Sequence, residues 1–223
     1  MKRHDFLFVL LVLALFVPFF LSQSLYDSYC KFNLEHGLVM SFLKFAILAT
    51  LGESLGLRIR KGIYDYKGFG LLPRAIVWGF LGITIKVSFL LFQPGAVNLL
   101  GYLGAAVGDS FGLKLLQAFT ASYLMNLIFA PVMMSLHKIT DTHILETGGT
   151  VKGLFSKTDV AIILQKVDWS TMWGFVFKKT IPFFWIPAHT ITFLLPASFQ
   201  VLFAAILGIV LGVILAFAAN KAK

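Results

Sequence analysis

Hydrophobic residues in this chain fall in long runs that contain almost no charges. Six runs stand out, at residues 6–21, 37–57, 71–92, 115–136, 180–195 and 197–219. A straight helix needs about 20 apolar residues to cross a bilayer, so the first and fifth runs are short for a crossing. The pattern predicts an all-α membrane protein, a polytopic helical bundle of about six hydrophobic segments.

The fifth run carries polar residues and prolines that a helix surrounded by lipid would avoid. At about 100° per residue, one wedge of this helix holds Trp185, His189, Thr192, Phe193, Pro196 and Gln200. Polar groups in contact with lipid are costly, so this stripe is expected to face other helices or trapped water. Pro187 and Pro196 would interrupt the segment, so we expect it to be proline-broken and either crossing or re-entrant.

Small residues recur at helical spacing on three other segments. In lipid, close backbone approach at such positions drives helix association. They are Ala204, Gly208, Gly212 and Ala216 in the last run, Ala46, Ala49, Thr50 and Gly56 in the second, and Gly79 and Gly82 in the third. Glu53 and Lys86 share the second and third of these stripes, so both charges are predicted to point into the bundle. Lys44 shares a face with leucines and is expected to snorkel to the headgroups.

Two connecting segments have patterns of their own. In the longest loop, residues 137–177, an amphipathic spacing of Val160, Ile163, Leu164 and Val167 follows a cap at Asp159. Trp169 and Trp173 come next, as expected at a membrane interface. We predict an interfacial amphipathic helix on the inner surface. The glycine-rich residues 95–112 are predicted to form a compact re-entry or loop.

Composition and charge agree with a membrane protein. The chain is 58% hydrophobic with a mean hydropathy of +0.86, which excludes a soluble domain of ordinary composition. With the N-terminus inside, fifteen of the nineteen Lys and Arg residues lie on the inner side. The net charge of +9 is thus explained by topology, and the expected partners are membrane lipids with anionic headgroups, not nucleic acid. One cysteine, Cys30, allows no internal disulfide.

The domain organisation is simple. Residues 1–24 have the basic start, apolar stretch and small-residue exit of a secretory signal, but we favour a retained signal-anchor span. Residues 37–220 are predicted to form one membrane helical domain that includes the cytoplasmic loop 137–177. The membrane is expected to be the plasma membrane in a bacterium, or the mitochondrial inner or peroxisomal membrane otherwise. The glycine stripes suit a homo-oligomer and a monomer equally.

Several residues are candidates for lining or gating a pore. They are Glu53, Lys86, Asn126, Trp185, His189, Thr192 and Gln200. His189 could relay protons or gate a path, because imidazole titrates near neutral pH, or it could hydrogen-bond between helices. Asn126, with Thr120 and Ser122, suits interhelical hydrogen bonding. Glu53 could instead pair locally with Arg58, Arg60 and Lys61.

Other chemistry finds little support in the sequence. His137, Asp141 and His143 form an H-x3-D-x-H pattern, which we interpret as part of a solvated loop without the further ligands of a metal site. The chain contains no phosphate-binding glycine loop, nucleophile elbow or paired acid and base at catalytic spacing. We expect neither an enzyme nor a bound cofactor.

The stretch FFWIPAHTITFLLP also carries a resemblance. It is similar to the C-terminal signature of the Mpv-seventeen family, which includes the twenty-two-kilodalton peroxisomal membrane protein. Trp185, Phe193 and Pro196 match that signature, whereas His189, Thr192, Phe199 and Gln200 stand where the family has glutamine, asparagine, tyrosine and arginine. Other elements similar to the family are LGESL around Glu53, residues 129–131, Asp65, Arg74 and Gly79. The resemblance spans about residues 41–220 and implies four spans with channel-like behaviour and no agreed substrate.

Together these patterns predict an integral membrane channel or transporter-like protein that passes small solutes or ions. The predicted path is lined by the stripe of His189 with Asn126, Glu53 and Lys86. Lys86 near the outer mouth, joined by Lys44 if it also turned inward, would favour anions. The alternative is a non-conducting membrane structural or adaptor protein, whose buried polar groups hold the helices together and whose partner binds around Trp169 and Trp173. A cavity shared by His189, Lys86 and Glu53 would distinguish the two.

Overall fold

The chain is all α-helical in a computed structural model that describes residues 3–221, with side chains as far as residue 214. No β-strand occurs in this range. The elements are α1 (Arg3–Leu21), α2 (Gln23–Glu35), α3 (Gly37–Lys61), α4 (Leu71–Tyr102), α5 (Phe111–Glu146), α6 (Val151–Leu154), α7 (Val160–Lys166), α8 (Trp169–Thr171), the π-helical stretch π1 (Met172–Trp185), α9 (Ile186–Leu194) and α10 (Ala197–Lys221). Ala216 of the predicted small-residue stripe lies outside the described side chains, as do the terminal lysines.

Five helices are long and apolar enough to cross a membrane, namely α1, α3, α4, α5 and α10. This confirms an integral membrane protein built as a helical bundle. Between α5 and α10, the elements α8, π1 and α9 follow one another without a break, and we call this run, residues 169–194, the penultimate helix. At about 1.5 Å per residue it is also long enough for a crossing.

The penultimate helix begins earlier than the hydrophobic run predicted. Asp168 caps it by accepting hydrogen bonds from the hydroxyl and the backbone N–H of Thr171, at 2.6 and 2.9 Å, and these bonds lower the pKa of its carboxyl. Pro182 and Pro187 have no backbone N–H to donate, and the winding changes from π to α at Ile186 between them. The chain thus stays helical through both prolines and ends at Leu194, ahead of Pro196.

Two predicted loops prove to be partly helical. Helix α4 continues to Tyr102, so the prediction of a loop over residues 95–112 is wrong for its first half. Ala96 and Leu100 are buried there, and this packing outweighs the poor helix propensity of Gly95 and Gly101. Helix α5 continues to Glu146, so residues 137–146 are helix and not flexible loop.

The predicted surface helix is shorter than its pattern indicated. Helix α7 ends at Lys166, and Trp169 already belongs to the penultimate helix. Helix α7 contacts α5. Ile163 on α7 and Val167, which follows its last residue, are both buried. The spacing therefore identified a helix, but the helix packs on its neighbour.

The predicted small-residue stripes are contact faces. A Cβ at Gly82 would lie 2.6 Å from the backbone oxygen of Ser41, so glycine lets α4 approach α3. Further along α3, a Cβ at Gly52 would lie 3.0 Å from Ile209 of α10. Gly208 differs, because a Cβ there would meet no atom within 4 Å. Helix α3 therefore packs closely against both α4 and α10.

The snorkelling predicted for Lys44 is wrong, because α2 covers it. This short helix, which the hydrophobic pattern does not show, packs at the start of α3. Lys44 is buried there, and its Nζ donates a hydrogen bond to Oδ1 of Asn33 and lies 5.3 Å from the centre of the Tyr29 ring. A buried ammonium needs such partners, and α2 supplies them.

Candidate functional site

Five polar side chains meet near one end of α3, α4 and α5. We call this end, which carries most of the basic residues, the inner end, and we call the group the inner cluster: Glu53, Arg74, Trp78, His137 and Asp141. Arg74 donates through Nη1 to Oε2 of Glu53, at 2.6 Å, and to Asp141. Trp78 donates through Nε1 to Oε1 of Glu53 at 2.7 Å, and Nε2 of His137 lies 3.3 Å from the same oxygen. Glu53 is thus contacted by three side chains from two neighbouring helices.

Helical spacing explains how the inner cluster is assembled. Arg74 and Trp78 lie four residues apart on α4, and His137 and Asp141 lie four residues apart on α5. Residues at this spacing share a face, so each helix presents two polar groups to Glu53 on α3. Arg74 is only 4% exposed. Its Nε also donates to the backbone oxygen of Phe69 at 2.8 Å, so its charge is well partnered.

The structure corrects two predictions about these residues. Glu53 pairs with Arg74 and not with its neighbours on α3, because Arg58 is engaged with Asp5 at 2.6 and 2.9 Å. His137 and Asp141 are not in a solvated loop, since they lie on α5 and face the bundle. His143, the third member of their sequence pattern, is buried elsewhere, with a ring nitrogen 3.2 Å from the hydroxyl of Thr158. Sequence reasoning missed Trp78 and gave Arg74 no role beyond a family landmark.

The inner cluster contains a set of possible metal ligands. Ligand atoms of Glu53, His137 and Asp141 all lie within 4.8 Å of one another. Carboxylate and imidazole groups are common ligands of divalent ions. The guanidinium of Arg74 already bonds both carboxylates, however, and a metal would have to displace it. We therefore interpret the group as an ion-pair network in which Arg74 supplies the positive charge.

A cavity of about 350 Å³ adjoins the inner cluster on the side away from the inner end, between the helices. We call it the central cavity. Four of the predicted path residues line it: Glu53, Asn126, Trp185 and His189. They come from α3, α5 and the penultimate helix, and Gly208 of α10 also lines the cavity. The predicted inward orientation of the Trp185 and His189 stripe is confirmed, since both side chains are buried.

A second space adjoins the central cavity at the inner end. This inner vestibule has a volume of about 580 Å³ and includes the polar groups Arg60, Lys61, Arg74, Lys138 and Asp141. Glu53 and His137 line both spaces, as do Arg60 and Met134. The inner cluster therefore lies where the vestibule meets the central cavity.

His189 is fixed at the other end of the central cavity. Its Nδ1 lies 3.0 Å from the amide nitrogen of Asn126, which also donates to the backbone oxygen of Ser122 at 2.9 Å. The ring stacks on Trp185, with 5.1 Å between the ring centres. Nε1 of Trp185 is buried and has no hydrogen-bond partner among the described residues. The cavity therefore ends at an interhelical bond, beside an indole donor with no partner.

Aromatic packing closes the bundle beyond His189. Phe89 and Phe193 meet edge to face with 4.9 Å between ring centres, and Phe89 is 1% exposed. Met125, 2% exposed, packs in the same core cluster. We call these three residues the outer plug. It separates the central cavity from an outer pocket lined by Gln93 and Phe193.

Three predicted site residues do not line the central cavity. Thr192 is fully buried and donates to the backbone oxygen of Ala188 at 2.8 Å, within its own helix. Gln200 lies beyond the outer plug and exchanges hydrogen bonds with Gln93, at 3.0 and 3.2 Å. Lys86 lines a separate pocket of about 110 Å³ with Asn33. The predicted cavity shared by all three of His189, Lys86 and Glu53 is therefore not found. His189 and Glu53 line the central cavity, and Lys86 lines a different pocket.

No protein-family model, curated protein or solved structure matches this chain. The resemblance to the Mpv-seventeen family stays a prediction. Of the residues that carry it, Glu53 and Arg74 lie in the inner cluster and Trp185 lines the central cavity.

Proposed function

We propose that this protein is a membrane channel or transporter that passes a small solute through the central cavity. The observation that carries the proposal is a single internal space lined by Glu53, Asn126 and His189, which come from three different segments. Ionisable and amide groups inside a membrane bundle are costly, and they typically mark solute or proton pathways. Their arrangement around one cavity is what a translocation path needs.

The positions of the vestibule and the outer plug support the same proposal. The vestibule adjoins the cavity at the inner end, while Phe89 and Phe193 fill the bundle beyond it. Transporters that alternate their access have such a site, open to one side and closed by side-chain packing on the other. A channel gated by a hydrophobic constriction has a similar form. In either case the outer plug is the barrier to passage.

The alternative, a non-conducting structural or adaptor protein, needs polar groups that are paired and a surface for a partner. The Gln93 and Gln200 pair fits this requirement. Trp169 and Trp173 are 41% and 61% exposed, so they also leave a surface for a partner. The central cavity and the unpaired Trp185 donor have no role in such a protein, so the solute path is the better interpretation. We propose no catalytic role, since Arg74 holds both carboxylates of the inner cluster.

Osmotic swelling of liposomes containing the purified protein tests the proposal. A panel of small neutral, cationic and anionic solutes is applied, and light scattering reports entry. Phe193→Ala opens the outer plug, because it removes the ring that packs on Phe89, and should raise solute entry at least about tenfold over the wild type. Phe183→Ala is the matched control, since Phe183 lies on the same helix and is 80% exposed.

Correct folding of both variants is checked by gel filtration and thermal melting before flux is compared. Equal entry into liposomes with Phe193→Ala, wild type or no protein would contradict a solute path. Increased entry with Phe183→Ala alone would place the path elsewhere.

A further inference from the structure

The lining of the central cavity indicates what kind of solute it accepts. Most of its side chains are apolar: Phe45, Ala49, Ile85, Met125, Phe129, Ala130, Met133 and Leu211. A small hydrated ion would lose its water against these apolar side chains. A ligand with an apolar surface would lose no strongly bound water on entering the cavity. Apolar side chains also dominate the lining of known small-molecule sites. The cavity therefore suits a solute with an apolar body.

The vestibule has the opposite character. Four cationic side chains, Arg60, Lys61, Arg74 and Lys138, line it with only two carboxylates, those of Glu53 and Asp141. Both carboxylates are bonded to Arg74. Arg60, Lys61 and Lys138 form no salt bridge with any described residue. Cationic side chains thus outnumber carboxylates, four to two, at the entrance to the apolar cavity.

Arg60 joins the two environments, because it lines both spaces. Among the described residues its guanidinium makes one hydrogen bond, from Nε to the backbone oxygen of Gly56 at 3.3 Å. The Nη1 and Nη2 groups of Arg60 make no hydrogen bond to a described residue, so they can hold a carboxylate or phosphate in a bidentate manner.

Two features inside the cavity point independently to a ligand. The Nε1 donor of Trp185 is buried without a partner, although an unpaired buried donor normally costs about 1–3 kcal/mol. Gly208 leaves open space beside the cavity, whereas Gly52 and Gly82 are in close contact with neighbouring helices. Gly208 is partly exposed and lines the cavity, so the wall of the cavity is open at this position.

We propose that the central cavity and vestibule bind a small amphipathic anion. The apolar part lies in the central cavity between Gly208 and Trp185, and the anionic head is held by Arg60 with support from Lys138. A cavity of about 350 Å³ is at the lower end of ligand-site volumes, which favours a single chain or ring system. The chemistry could be supplied by a free single-chain carboxylate or by one tail and headgroup of an anionic membrane lipid. This inference rests on the proposed function only for the transport of the ligand, not for its binding.

Tryptophan quenching by a brominated ligand measures this binding. The protein is placed in nanodiscs of zwitterionic phosphatidylcholine and titrated with ω-bromodecanoate. Trp78 and Trp185 line the cavity, so bromine bound there should quench their emission in a saturable way. The uncharged ω-bromodecanol, which has the same chain, should bind at least about tenfold more weakly because it gains nothing from the vestibule charges.

Two variants locate the site, each with a matched control. Gly208→Leu fills the cavity and should abolish the saturable quenching, while Gly101→Leu, at an exposed helical glycine with nothing within 4 Å, should leave it unchanged. Arg60→Gln should weaken decanoate binding about tenfold without affecting the alcohol, whereas Lys152→Gln, an exposed inner lysine, should have no effect. Quenching by lipid-dissolved ligand at Trp169 and Trp173 is the same in all four variants and is subtracted.

The outcomes separate the possible failures. Equal binding of acid and alcohol, or saturable quenching that survives Gly208→Leu, overturns the proposed site. If anionic phosphatidylglycerol in the nanodisc competes with decanoate, the ligand comes from the lipid; if it does not, the ligand is a free solute, and either result supports the shared chemistry. Binding without solute entry in the swelling assay would contradict the proposed function and leave the site intact. Solute entry without saturable binding would contradict the proposed binding site and leave the proposed function intact.

Discussion

Arg74 shows how single residues hold this bundle together. It is buried at the inner ends of three helices and bonds Glu53 from α3 and Asp141 from α5. Removal of one partner from a buried ion pair leaves the other charge without compensation, which costs more than the pair itself contributes. Here two carboxylates would be left together. Arg74 therefore matters for stability as well as for the charge at the cavity entrance.

Replacement of Arg74 by methionine, which keeps much of the apolar stem, should lower stability by about 3–5 kcal/mol. Thermal unfolding in detergent is the measurement. Arg58→Met is the matched control, because Arg58 lies in a more exposed ion pair with Asp5 and its loss should matter much less. The triple variant Arg74→Met, Glu53→Gln, Asp141→Asn should recover part of the loss. If Arg74→Met melts like Arg58→Met, the inner cluster does not support the fold as described.

Individual helices pack through the glycines that the sequence pattern identified. Gly82 faces the backbone of α3, where a Cβ would lie 2.6 Å from an oxygen and 2.7 Å from Phe45. Gly101 lies on the same helix, and a Cβ there would meet nothing within 4 Å. These two positions share a helix and a residue type, but Gly82 is buried in the interior of α4 and Gly101 is exposed in its last turn.

Gly82→Val should therefore separate α3 from α4 and destabilise the protein by about 1–3 kcal/mol relative to Gly101→Val. Valine has a better helix propensity than glycine, and this gain is larger at the interior Gly82, so propensity opposes the predicted difference and cannot produce it. Melting temperatures of the two purified variants give the difference. Equal stability would mean that α3 and α4 do not approach each other at Gly82.

The sequence predicted the helices whose signal is local, and missed those that depend on distant partners. Runs of apolar residues and glycine stripes gave α3, α4, α5 and α10 and their contact faces. Helix α2 is polar, and its Asn33 accepts a hydrogen bond from Lys44 of α3. A search for hydrophobic runs therefore does not detect α2. The same distinction between local and long-range signals applies to the residues of the site. The inward orientation of His189 follows from periodicity, but the inner cluster needed α5 to be helical as far as Asp141.

The whole molecule combines an outer half that contains the outer plug with an inner half that holds two adjoining spaces. The outer half contains the Phe89 and Phe193 packing and the Gln93 and Gln200 pair. The inner half contains the vestibule, the inner cluster and the central cavity. Basic residues concentrate at the inner end, so the positive-inside pattern and the cationic vestibule have the same orientation. The central claim is that the cavity can be reached from this side only.

Thiol labelling from each side of a sealed vesicle tests that claim most directly. In a Cys30→Ser background, Gly208→Cys places a thiol at the open wall of the cavity. Lys157→Cys and Asp109→Cys, both at exposed loop positions, mark the inner and outer faces. With a small, membrane-impermeant anionic methanethiosulfonate, we predict that Gly208→Cys reacts from the inner face, more slowly than Lys157→Cys, and does not react from the outer face. Reaction from the outer face, or no reaction from either face in folded protein, would contradict the account.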